Sequence, residues 1–127
     1  MDYKSQVMMG EMIPILRIFD RQKTMEFYVD YLDFTVDWEH RFEEGLPLYL
    51  QVSRGNCVIH LSEHHGDCSP GAAIRIGVEN IEGLHSTLCS KVYDFARPCL
   101  EETPWGMTEL TVIDPFSNRI IFFENKL

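Results

Sequence analysis

The chain has 127 residues, 45% of them apolar, enough for one domain to build a core without a disulfide or a metal to hold it. Its formal net charge of −9 argues against nucleic acid or an anionic membrane surface as a partner, and favours a cationic ligand over an anionic one. No apolar run approaches the ~18 residues of a membrane span, residues 1–12 lack the regions of a signal peptide, and the cysteines form no C-x-x-C pair, so they read as reduced thiols of a cytoplasmic protein.

Residues 1–12 are polar and Met-rich and read as a loose terminus. Residues 13–19 are apolar and β-branched and predict a strand, with Pro14 at its start or on an edge, because proline lacks the N–H that a central strand donates. Asp20 is placed to cap a following helix by accepting from a free N–H. Met25, Tyr28, Val29 and Leu32 fall at i, i+3, i+4 and i+7, so that helix buries one face. Residues 35–42 alternate, with Phe34, Val36, Trp38 and His40 expected on one side. Gly45 and Pro47 mark a turn. Residues 48–53 and 57–62 read as strands joined by Arg54-Gly55-Asn56, a hairpin signal.

The connector, residues 63–71, carries His64, His65, Asp67 and Cys68. Then the programme repeats. Residues 72–79 predict a strand, and Asn80 stands where Asp20 stood. Ile81, Leu84, His85 and Leu88 form the second helical stripe, and Phe95 follows as Phe34 did. Residues 98–104 read as a broken edge strand. Residues 107–113 alternate, residues 114–118 turn, and residues 119–124 close the second pass.

A repeat of this length decides the architecture. A single domain spans 1–127, with module one at about 13–62 and module two at about 72–124. The fold class is α+β: two βαβββ modules forming curved mixed sheets, each helix on the convex side of its own sheet. The concave sides are left to face a ligand or each other, a natural place for a small molecule.

Several runs carry a resemblance. Pro104-Trp105-Gly106-Met107-Thr108-Glu109, with Asp114-Pro115-x-x-Asn118 after it, is similar to the closing segment of bleomycin resistance proteins. Ile13-Pro14-Ile15-Leu16, Phe27-Tyr28-x-x-x-Leu32-x-Phe34 and Gly55-x-x-x-x-His60-Leu61-Ser62 match the same family at the first strand, the first helix and the hairpin. That family belongs to the glyoxalase, or vicinal oxygen chelate, superfamily. The resemblance implies a paired-module fold, a homodimer with ligands in grooves at the interface, and a choice among isomerases, dioxygenases, transferases and drug-sequestering binders.

Superfamily enzymes hold a divalent metal at four concave positions. Aligned on Asp20 and on Asp114-Pro115, these fall on Ile13, His60, Ala73 and Ile121. An aliphatic side chain has no lone pair to give, so one histidine makes no catalytic metal site, and no metal or other cofactor is expected. The cluster His60, Glu63, His64, His65, Asp67, Cys68 fits no closed zinc spacing and reads as a solvated loop, with metal binding there left open.

The residues expected to bind a ligand are Trp38, Tyr49, His60, Arg75, Trp105 and Glu109. His60 and Val58 lie opposite Ile59 and Leu61, so they face the cavity if the latter pack under the helix. Trp105, Met107, Glu109 and Thr111 share one parity. Trp105 offers a flat stacking surface and Glu109 a partner for a cation or a donor, while Trp38 and Tyr49 would add aromatic walls. Arg17 and Arg75, on the first strands, either pair with Glu109 and other carboxylates or meet the ligand. Cys57 shares parity with Ile59 and reads as buried and inert. No nucleophile motif or phosphate-binding loop occurs. The expected function is binding of an antibiotic-like small molecule, cationic and aromatic in character, by sequestration without catalysis. The alternative is a metal-dependent lyase, isomerase or dioxygenase.

Overall fold

The computed structural model describes residues 6–93 and 98–126; the expectation at Phe95 lies outside them. Two four-stranded sheets form. In module one, β1 (Ile15–Arg17), β2 (Thr35–His40), β3 (Tyr49–Arg54) and β4 (Cys57–Ser62) are ordered β1-β4-β3-β2. In module two, β5 (Ala73–Gly77), β6 (Leu100–Glu102), β7 (Met107–Ile113) and β8 (Arg119–Asn125) are ordered β5-β8-β7-β6. In each sheet the first strand runs parallel to the last and the other pairs are antiparallel. These are the two α+β modules anticipated from the repeat.

The crossover of module one is α1 (Arg21–Thr24), which continues as a π-helical stretch, Met25–Tyr31. Asp20 caps it by accepting from the Lys23 N–H at 2.8 Å. The wider turn, with Leu32 N donating to Phe27 O, rotates the buried stripe. Phe27, Tyr28, Tyr31 and Leu32 are buried, whereas Met25 and Val29 of the expected stripe are only half-buried. The crossover of module two, α2 (Ile81–Cys89), starts from Asn80, whose left-handed backbone (φ 66°) suits an asparagine and whose side chain accepts from Gly83 N. Glu124 accepts from both Asn80 N and Ile81 N, so it faces away from the concave side, toward the helix.

One hydrophobic core runs through both modules. Leu16, Leu50, Ile59 and Leu61 point down from the first sheet, and Leu110, Val112, Ile120 and Phe122 from the second. Between the modules, the Tyr28 hydroxyl donates to Asp114 Oδ2 at 2.6 Å, and Asn118 Nδ2 donates to the Arg17 carbonyl at 2.8 Å. Asn118 Oδ1 also accepts from Ala72 N. Lys91 bridges to the end of the first helix, donating to the Tyr31 carbonyl and pairing with Asp33 at 2.7 Å. The Asp-Pro-x-x-Asn turn is therefore the bolt that holds module two against module one.

Two strands, β1 and β2, differ from the sequence reading, and β6 takes the form anticipated for it. β1 is three residues long, because Pro14 donates nothing and only its carbonyl is engaged, by His60 N. β6 shrinks to a three-residue edge strand, as expected of a broken one. In β2 the pairing slips between Val36 and Trp38: Val36 sits opposite Val52, Trp38 opposite Gln51, and Asp37 is the extra residue. That bulge puts Val36 and Trp38 on opposite faces, which corrects the simple alternation over 35–42. Val36 packs against the core and Trp38 stands on the concave side.

Candidate functional site

The bulge at Asp37 assembles the concave face of module one. The registers align Ile15, His60, Gln51 and Trp38 in one row across the sheet, and Arg17, Ser62, Tyr49 and His40 in the next. Trp38 and Tyr49 stack at 5.9 Å with ring planes 8° apart. His60 meets both edge-on, at 5.4 Å and 5.2 Å.

A chain of donors fixes the imidazole. Gln51 Nε2 donates to Asp37 Oδ2 at 3.1 Å, which turns Gln51 Oε1 toward His60 Nε2 at 2.9 Å. A carbonyl oxygen only accepts, so the proton is on Nε2. His60 Nδ1 keeps its lone pair and accepts from the Tyr49 hydroxyl at 2.7 Å. Burial pushes the Tyr49 phenol up from its ordinary value of 10, with help from Asp67 and Cys68, so it remains a donor. Both imidazole nitrogens are thus engaged. Trp38 stays 43% exposed despite its neighbours, so the cluster offers a flat ring to the outside.

Module two presents a more occupied face. Arg75 Nη2 donates to Glu109 Oε2 at 2.8 Å, and its guanidinium lies 4.7 Å from the centre of the Phe123 ring. The arginine therefore takes the carboxylate expected to meet a ligand cation. Phe123 also lies over Gly77, where an added Cβ would stand 3.4 Å from the ring. Trp105 sits in the turn before β7 and is 65% exposed. Of the six residues singled out from the sequence, the structure brings together Trp38, Tyr49 and His60 in one cluster and Arg75 with Glu109 in another. Gln51 and Asp37 were missed. Gln51 shares the face of Tyr49, a parity visible in the sequence, but Asp37 enters only through the bulge.

A groove of ≈ 800 Å³ lies elsewhere, between the β3–β4 turn and α2, lined among others by Arg54, Cys57, Val78 and Leu84. None of the six residues lines it. Cys57 is half-buried rather than buried, and burial pushes its thiol up from 9.0.

Residues 2–127 match the family model described as glyoxalase superfamily protein. The chain belongs to the glyoxalase superfamily. No curated protein matches it. Among solved structures it is similar to a bleomycin-binding protein from bleomycin-producing Streptomyces verticillus in complex with copper(II)-bleomycin. That match has 28% identity and a TM-score of 0.68, over 91% of this chain and 96% of that one. It also resembles a member of the glyoxalase/bleomycin resistance protein/dioxygenase superfamily from Sphaerobacter thermophilus, with 20% identity, 94% and 100% coverage and a TM-score of 0.69. A bleomycin resistance determinant encoded on the transposon Tn5 shares 16% identity, with 94% and 100% coverage and a TM-score of 0.68. The last two share the fold.

The residues at the superfamily's metal positions do not fit a metal. Ile13 and Ala73 are aliphatic and exposed, and Ile121 is half-buried. The registers put Ile15 beside His60 and Arg75 beside Ile121, and neither adds a ligand. His60 would have to surrender the Tyr49 or the Gln51 hydrogen bond to coordinate anything. Among the described residues, no three His, Cys, Asp or Glu side chains gather as a metal-holding group, the connector included.

Proposed function

We propose that this glyoxalase-superfamily protein sequesters a small planar molecule, without a catalytic metal, on the concave face of module one. The observation that carries the reading is the Trp38–Tyr49–His60 cluster on an open sheet face, with Tyr49 and His60 fixed by hydrogen bonds and Trp38 stacked on Tyr49. Such a surface combines apolar area with few placed polar groups, as ligand sites do. Arg75, Glu109 and Trp105 would line the opposing face. The likeness to a bleomycin-binding protein supports binding as the activity. A net charge of −9 favours capture of a molecule that is cationic overall.

Ile15 and Trp38 on one concave face and Ile113 on the other leave apolar surface uncovered in a single chain. We infer that two chains pair, each covering the open faces of the other, in the cytoplasm. Light scattering is then expected to give twice the 14.8 kDa chain mass; a monomer at micromolar concentration overturns the pairing. Tryptophan fluorescence titrated with metal-free bleomycin tests the drug reading. A saturable change is expected, and no change at ~100 μM, where even weak specific binding shows, removes bleomycin as the ligand.

A further inference from the structure

The charge that the site itself would recognise is set by Arg17, whose own positive charge is opposite in sign to the net charge of the chain. Arg17 projects from β1 onto the concave face, in the row that leads through Ser62 to Tyr49. Four other arginines are engaged: Arg21 with Glu39, Arg41 with the Leu46 carbonyl and Glu63, Arg54 with the Leu32 carbonyl, and Arg75 with Glu109. Arg17 is half-buried, its guanidinium stacks 4.6 Å from the centre of the Phe19 ring, and its Nε is buried without a hydrogen-bond partner. No carboxylate among the described residues lies within ion-pair reach of it.

The groups around it do not supply the missing acceptor. Asp67 accepts from the Ser62 hydroxyl at 2.6 Å. The Cys68 thiol is close enough to feel Arg17, yet burial and Asp67 hold it above its ordinary value of 9.0, so it stays neutral near pH 7. The Tyr49 hydroxyl donates its hydrogen bond to His60 Nδ1. Arg17 as a whole is only half-buried, so the Nη groups of its guanidinium, which also have no partner among the described residues, can meet an anion through a charge-assisted bond, although the buried Nε itself is out of a ligand's reach.

We propose that Arg17 receives a carboxylate of the bound molecule, whose flat ring lies on Tyr49 and Trp38. The spacing suits one compact ligand: Arg17 and Tyr49 are two strands apart, about 10 Å, and the long arginine side chain spans much of that. A ligand that is cationic overall would then carry its carboxylate at this end. The inference rests on the concave-face reading above and adds the charge of the recognised group.

A charge series on one ring separates the two. 2-Naphthoate, 2-naphthamide and 2-naphthylmethylammonium are titrated into the full chain by calorimetry, with amide chemical shifts recorded alongside. Naphthoate is expected to bind roughly tenfold to a hundredfold more tightly than the amide, the range for one charge-assisted hydrogen bond. Arg17→Gln is expected to abolish that difference, chiefly by weakening naphthoate, and Arg17→Lys, which keeps the charge but not the fork, to fall between. Equal binding of naphthoate and amide, tightest binding of the ammonium, or a preference that survives Arg17→Gln overturns the role of Arg17 and leaves the face as the ligand site. Failure of all three probes to shift Trp38, Tyr49 or His60 signals overturns both. Near-UV circular dichroism of the variants confirms that they fold.

Discussion

Replacing Tyr28 by Phe tests whether the Asp114 turn bolts the modules together. Tyr28 is fully buried, and its phenol is pushed well above 10 by burial and then by the Asp114 charge, so it acts as a donor at any working pH. Asp114 Oδ2 accepts from Tyr28 and from Asn118 Nδ2, and Oδ1 accepts from the Phe116 and Asn118 N–H groups. Tyr28→Phe removes one bond to a charged acceptor, about 1.5–3 kcal/mol, and leaves the carboxylate three donors. Asp114→Ala instead orphans four donors. At about 1–3 kcal/mol for each buried orphan, and with Pro115 and Ser117 exposed so that water reaches the turn, a loss of roughly 4–6 kcal/mol is expected. That is a large part of the ~5–15 kcal/mol that holds an ordinary domain together. The assay is urea unfolding with an unchanged m-value, backed by thermal melts in which Tyr28→Phe drops the midpoint by roughly 5–12 °C. A Tyr28→Phe cost below ~0.5 kcal/mol, or an Asp114→Ala cost no larger than that of Tyr28→Phe, refutes the reasoning.

The remaining predictions concern the acid limb, the thiols and the cluster. The bonds from Ile81 N and Asn80 N hold the Glu124 carboxyl below its ordinary 4.5, so its contribution is present above that pH and is lost as pH falls through the lower folded value. Glu124→Gln is therefore expected to flatten the fall in the urea midpoint between pH 5 and pH 3, and an unchanged slope contradicts the cap. Cys89 and Cys99 are exposed, so a thiol reagent should label them quickly, while Cys57 labels slowly until the chain unfolds; fast labelling of Cys57, read by peptide mass, contradicts its burial. Gln51→Ala removes the acceptor that holds the proton on His60 Nε2, so nitrogen-15 shifts of the ring should move toward a mixture of tautomers; an unchanged Nε2–H form shows that Gln51 does not set it.

The periodic signals were the legible ones. The run 57–62 appears unchanged as β4, and the paired caps Asp20 and Asn80 appear with their side-chain bonds. Legibility failed where one residue was added to a regular element. The π-helical turn at Met25–Tyr31 moves the buried stripe onto Phe27 and Tyr31, and the bulge at Asp37 moves Trp38 off the face of Val36. Both are choices of hydrogen-bond register that the spacing of apolar residues does not encode. The contact between Arg75 and Glu109 crosses β8 and depends on two registers at once, so the sequence left it open whether these residues pair or meet a ligand. The orphan Nε of Arg17 is likewise visible only once every neighbour has been placed.

A crystal structure grown with 2-naphthoate tests the central claim most directly, because the molecule offers two places for a ligand. The account predicts density for the ring against Trp38 and Tyr49, with its carboxylate at Arg17. Density confined to the groove between the β3–β4 turn and α2, with the concave face of module one empty, contradicts it.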